Sequence, residues 1–178
     1  PEAVSLLTEI GVPAWNIASG EVNNQQLFDQ ILATKKTVLL STGMSAIEEI
    51  DSAAKRVMDA GVELMVMQCT TAYPTSPGQW GFNVIKELKD RYNVPVGFSD
   101  HSGEIYACLA AAALGAEILE FHVAFDKKMF GPDATSSLTI EQVKMLINGV
   151  RQIEAACKKK DKKADTGKFE ALKTMFEK

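Results

Sequence analysis

Apolar and polar positions along this chain follow two periods in turn. Five short runs are apolar or β-branched almost without a break: Ala14–Ile17, Thr37–Leu40, Leu64–Gln68, Val94–Phe98 and Ile118–Phe121. Between them apolar residues recur at helical spacing. Ile47, Ile50, Ala54 and Val57 mark one helix face, Phe82, Ile85, Leu88 and Tyr92 a second, and Val143, Leu146, Val150 and Ile153 a third. Ser45 with Glu48 predicts a capping box for the first of these, and Gly61 its stop. Ile105–Leu114 reads as a small-residue helix closed by Gly115, and Thr139 with Gln142 as the cap of the helix after it. Strands alternating with helices predict an α/β fold in which parallel strands are covered by helices. Runs this continuous in apolar character are those of strands buried on both faces. Two architectures accept the pattern: a five-stranded doubly wound sheet, and a stretch of a (β/α)8 barrel.

Composition narrows the function classes. The chain has 178 residues, of which 46% are hydrophobic, enough for one globular core and too many for disorder. A net charge of −4 and a sequence pI near 5.3, with no basic face outside the tail, argue against a nucleic-acid partner. The longest apolar runs, such as Ala107–Leu114, fall well short of the roughly 20 residues that span a bilayer, so no membrane is expected. No signal-peptide pattern is read at Pro1. Cys69, Cys108 and Cys157 are odd in number and widely spaced, which predicts reduced, buried thiols in a cytoplasmic protein. From Lys158 onward the composition turns basic, predicting a solvated segment with a short helix near Phe169–Phe176.

The chemistry gathers at one end of the predicted strands. In either architecture functional residues collect at carboxyl ends. Here those ends read Ser19-Gly20-Glu21, Ser41-Thr42-Gly43, Cys69-Thr70-Thr71-Ala72-Tyr73, Ser99-Asp100-His101 and His122, whereas the opposite end, as at Asn93-Val94-Pro95, is bland. His101 and His122 are the only histidines. On neighbouring barrel strands they can converge on one divalent cation, leaving positions for water or substrate; the alternative is two unrelated polar residues. Ser19, Ser41 and Ser99 can cradle a phosphate with free backbone N–H groups, or each can simply cap a helix. Glu21 is either a general base or a solvated acid in a first helical turn. Tyr73-Pro74-Thr75 presents a phenol or packs under a turn, and Gly131-Pro132-Asp133 carries an acid over the mouth or is only a turn.

Taken in order, these segments resemble a known family. Ile17-Ala18-Ser19-Gly20-Glu21, Leu40-Ser41-Thr42-Gly43-Met44, Gln68-Cys69-Thr70 with Tyr73-Pro74-Thr75, Ser99-Asp100-His101, and Leu119-Glu120-Phe121-His122 followed by Gly131-Pro132-Asp133 are similar to the motifs of sialic acid synthases and their nonulosonate-synthase relatives. The likeness runs from about Val12 to Ile153. It implies a (β/α)8 TIM barrel of which this chain covers about the last five βα units. Residues 1–157 would be the C-terminal part of the barrel domain, and 158–178 a basic linker with a short terminal helix.

The resemblance also implies an activity: phosphoenolpyruvate condenses with N-acetylmannosamine, or its 6-phosphate, to give sialic acid and phosphate. His101 and His122 take the place of the metal ligands, usually for Mn2+. Ser19, Ser41 and Ser99 stand as phosphoenolpyruvate contacts, Tyr73 and Asp133 as sugar contacts, and His122 as a contact to both metal and sugar. Glu21 matches the carboxylate near the reacting carbons. A cytoplasmic homodimer is implied for the full-length enzyme. Two positions depart from the pattern: Asn16, often Lys in relatives, and Thr71, Asn in some. The family's barrel opens with three further βα units and often ends in an antifreeze-like domain, so this chain by itself is expected to be nearly inactive. The rival readings are a legionaminic or pseudaminic acid synthase, a flavodoxin-like binding domain, and an inactive remnant.

Overall fold

A computed structural model of the chain describes residues 2–158, 167 and 170–176. Helix α1 (Glu2–Ile10) leads into β1 (Ala14–Ile17), and α2 (Gln25–Ala33), β2 (Thr37–Ser41), α3 (Ile47–Asp59) and β3 (Leu64–Cys69) follow. Then come α4 (Phe82–Tyr92), β4 (Val96–Asp100), α5 (Ile105–Ala113), β5 (Leu119–Val123), a two-residue β6 (Ser137–Leu138), α6 (Ile140–Cys157) and α7 (Glu170–Phe176). All five ladders are parallel and the strand order is β1-β2-β3-β4-β5-β6, the order of the sequence. A doubly wound sheet reverses its order at a switch point; this one does not.

Curvature decides the architecture. Neighbouring strands lie about 4.8 Å apart, so in a flat sheet β1 and β5 would stand roughly 19 Å from each other. Instead the Asn16 amide on β1 donates to both carboxylate oxygens of Glu120 on β5, at 3.2 and 3.1 Å. The sheet is therefore curled into an arc of a (β/α)8 barrel, with its concave face inward and its helices outside.

Alternation along the strands divides the two faces. Ile17, Val38, Leu40, Val66 and Phe98 point outward and are buried against Phe28, Ile31, Ala54, Val57, Ile85, Leu88, Ala107 and Cys108 of the helix layer. Each such fully buried aliphatic side chain contributes about 1.5–3 kcal/mol. The concave face carries Asn16, Leu39, Met65 and Glu120, which remain partly or wholly exposed, and Met67, which is buried. Met67 lies across the sheet over Gly97, where an added Cβ would stand 2.3 Å from the Met67 sulfur.

Several predicted boundaries shift. Strand β4 begins after Pro95, whose ring nitrogen has no proton for the ladder, and runs two residues further to Asp100. Strand β5 likewise extends to Val123, so Ser99 and His122 are strand residues and not the first residues of loops. The capping box of α3 falls one residue late. Ser45 is drawn into the turn after β2 by its N–H bond to the Thr42 carbonyl at 3.2 Å, and Glu49, not Glu48, accepts from the Ala46 N–H at 2.8 Å. At α6 the predicted box stands, with Thr139 N–H donating to Gln142 at 2.9 Å and Gln142 N–H to Thr139 Oγ1 at 3.3 Å. Of the cysteines, Cys108 is buried and Cys69 half-buried, but Cys157 is exposed because the last turn of α6 faces solvent. Most of the basic segment, including Lys159–Lys160 and Lys162–Lys163, lies outside the described residues. Among the described residues no helix is long and apolar enough to cross a membrane.

Candidate active site

At the carboxyl ends of the strands a cleft of about 220 Å³ opens on the concave side. Its wall carries Ser19, Ser41, Tyr73, Ser99, His101 and His122, so the structure brings together six of the residues singled out in the sequence. Strand pleating explains why. Residues two apart on a strand share a face, which puts Ser99 with His101, and Glu120 with His122, on the inside of the curl. Ser41 ends β2 on that same face, and Ser19 sits in the 3-10 turn that follows β1.

The hydroxyls are held in place from below. The Gly43 N–H donates to Ser19 Oγ at 2.9 Å, tying the first two loops together. Ser41 Oγ donates to Asn16 Oδ1 at 3.2 Å, and the Asn16 amide passes the chain on to Glu120. Cys69 stands among them, and burial, the main cause, raises its thiol above the ordinary range against the opposing hydrogen bonds of Ser99 and Ser19. The group stays a neutral thiol and lines the floor without acting as a thiolate.

The imidazoles form a second cluster. Tyr73 stacks on His101 with ring centroids 4.2 Å apart and meets His122 edge-on at 5.8 Å, while the two imidazoles lie 5.2 Å apart. Burial first, then the nearby acidic groups, raises the Tyr73 phenol, which therefore remains a protonated donor. His101 Nδ1 lies 2.9 Å from the Thr70 carbonyl. A carbonyl can only accept, so Nδ1 carries a proton, and in the neutral ring Nε2 holds the lone pair that can ligate. His122 Nδ1 lies 3.7 Å from an Asp133 carboxylate oxygen, beyond hydrogen-bond range. Among the described residues no group of three or more His, Cys, Asp or Glu side chains could hold a metal ion.

Two predicted residues stand apart from the cleft. Glu21 is exposed, and its carboxylate accepts from the Asn24 amide at 2.6 Å instead of facing the cleft wall. Asp133 lines a neighbouring hollow of about 350 Å³, reached across His122 and bordered by Phe125, Met129 and Phe130. Sequence reasoning gave no role to Glu120 or Cys69, and it set aside Asn16 and Thr71 as departures, yet all four line the cleft. Glu120 was findable: it precedes His122 by two and so shares its face.

Comparison with known proteins agrees with the fold. The NeuB family model matches residues 1–162. The N,N'-diacetyllegionaminic acid synthase of Campylobacter jejuni is 38% identical over 158 residues, 87% of this chain and 47% of its own. The human N-acetylneuraminate-9-phosphate synthase is 32% identical over 155 residues, 86% of this chain and 43% of its own. The solved structure of the N-acetylneuraminic acid synthetase of Leptospira borgpetersenii superposes with a TM-score of 0.86 at 27% identity, covering 97% of this chain and 61% of that one. The chain thus spans about half the length of these two sequence relatives. With the family model matching nearly its whole length and the same curled sheet in a solved relative, this chain belongs to the NeuB family.

Proposed function

We propose that this chain supplies the reacting half of a synthase joining phosphoenolpyruvate to an N-acylated amino sugar, with release of phosphate. The observation that carries the reading is the convergence of three hydroxyls from three strand ends and two imidazoles on one 220 Å³ cleft. Serine hydroxyls and backbone N–H groups suit phosphate and carboxylate oxygens, and Ser19, Ser41 and Ser99 would hold phosphoenolpyruvate. His101 and His122 suit a divalent cation of the Mn2+ kind, since the Thr70 carbonyl accepts from the His101 Nδ1–H and makes Nε2 the ligating nitrogen of the neutral ring. Such a cation, when bound, supplies Lewis acidity toward a sugar aldehyde.

In the reaction the enol C3 bonds to the aldehyde carbon, water adds at C2, and phosphate leaves with its bridging oxygen. The protonated Tyr73 phenol and the Asp133 carboxylate would orient the sugar beside His122. Glu21 would have to turn away from Asn24 to face the reacting carbons. Most of the rate enhancement would come from positioning and from stabilising the charge that develops. A cytoplasmic homodimer belongs to the same reading.

N-acetylmannosamine, or its 6-phosphate, is the first choice of sugar. The greater identity to the legionaminic acid synthase, 38% against 32%, favours a di-N-acetylated sugar as the second. The test is phosphate release from phosphoenolpyruvate with Mn2+ and each of these sugars in turn, run on the intact synthase carrying this chain. Release with one of them supports the reading; no release with any of them sinks it.

A further inference from the structure

Asp133 sits on the loop between β5 and β6, and that loop is poorly anchored. Phe125 is 82% exposed, Met129 is 50% exposed, and Phe130 projects wholly into solvent. Among the described residues, the hydrogen bonds of residues 125–133 stay inside 125–137 except for those of one side chain, Lys127. Its Nζ donates to the Gly103 carbonyl at 2.5 Å and reaches the Glu104 carboxylate at 3.3 Å. At the far end of the loop, Gly103 packs against the backbone, where an added Cβ would lie 2.5 Å from the Thr135 carbonyl oxygen. The two ties bracket Asp133.

The anchor they share is firm. The buried Asp100 carboxylate accepts from the Ser102 N–H at 3.0 Å and from the Ser102 hydroxyl at 2.8 Å. The His101 carbonyl accepts from Thr75 N–H at 3.1 Å, so the same turn steadies the Tyr73 loop. A charged hydrogen bond from a half-buried lysine to a rigid turn is therefore the main side-chain restraint on where Asp133 stands.

We infer that Lys127 is a positioning residue: by gripping the His101–Glu104 turn it fixes the loop that carries Asp133 beside His122, and so sets affinity for the second substrate without touching it. The inference rests on the proposed function for the identity of that substrate, the amino sugar, but the latch itself does not. Among the described residues Lys127 bonds only to Gly103 and Glu104 and to none of Ser19, Ser41 and Ser99, so phosphoenolpyruvate binding is unaffected.

The experiment compares Lys127→Met and Lys127→Arg with the unaltered protein by two readouts. The first is hydrogen exchange at amides 124–136 of this chain. The second is the KM of each substrate in the intact synthase. Loss of a charged hydrogen bond predicts about tenfold faster exchange in that loop and about a tenfold higher KM for the amino sugar. The KM for phosphoenolpyruvate stays as it was, and arginine restores both values. Unchanged loop exchange in Lys127→Met, or both KM values rising together, overturns the inference. Faster loop exchange in a protein that turns over no amino sugar leaves the latch standing and removes the proposed function instead.

Discussion

The two sides of the cleft are built differently. On one side Ser41, Ser99 and His101 are 5%, 5% and 6% exposed, with backbones fixed in or at the end of parallel ladders. On the other, Asp133 rides a loop whose Phe125 is 82% exposed, and it approaches His122 only to 3.7 Å. Ladder residues hold their positions to the precision of the sheet, whereas loop residues hold theirs by a few side-chain bonds. On the proposed reading, phosphoenolpyruvate meets the first side and the amino sugar the second.

Substitution of the histidines should produce the largest effect. Losing either imidazole should lower turnover of the intact synthase by more than about 100-fold and abolish Mn2+ binding measured by calorimetry. The two variants should differ in stability. His101→Ala removes one of the two hydrogen bonds the Thr70 carbonyl accepts (the other, at 3.0 Å, comes from the Ala72 N–H) and empties a buried site, so it should cost about 1–2 kcal/mol, while His122→Ala, at a half-exposed site, should cost less. Equal losses of stability would erase the contrast between a buried and a half-exposed imidazole.

A smaller effect separates sheet from loop by glycine. In Gly97→Ala the new Cβ would fall 2.3 Å from the sulfur of the buried Met67, so chemical denaturation should show a loss of about 1–3 kcal/mol. Gly20, in the turn beside Ser19, has nothing within 4 Å of such a Cβ, and Gly20→Ala should stay within about 0.5 kcal/mol. A Gly97→Ala variant as stable as the parent would mean that the concave floor yields as easily as its rim.

The smallest effect lies outside both sides and serves as their control. Hydrogen bonds from Arg91 first and Tyr92 second hold the Asp51 carboxyl down to about 2, linking α3 to α4. A carboxyl depressed in the folded state adds stability above its unfolded value, near 3.9, and loses it as pH falls toward 2. Asp51→Asn should therefore lower Tm slightly at pH 7, with the gap to the parent closing by about pH 2. Cleft properties should not respond. A gap that persists at pH 2 would show that the bond pattern, not the charge, was responsible.

Much of this was legible in the sequence because the signals were local. Ala14–Ile17 reads as a strand from its own residues, and Thr139 with Gln142 as a cap from its spacing. The misses were of another kind. Strand β6 is two residues long and exists only because Ser137 and Leu138 pair with His122 and Val123. Asn16 was set aside because it broke a pattern, but its partners Ser41 and Glu120 lie 25 and 104 positions away along the chain, and only the curl brings them together. Glu21 was placed by its neighbours in sequence, whereas the rotation of its side chain was decided by Asn24.

Strand order carries one more consequence, for the way the chain assembles. Each strand pairs only with the strands beside it in sequence, so forming a ladder closes a loop of just one βα unit. Short closures cost little entropy, and folds dominated by them form quickly. Sequential strand order therefore keeps the entropy cost of each added βα unit small. The bond from Asn16 to Glu120, the widest span in sequence among the cleft's hydrogen bonds, depends on the curl of all the strands between them.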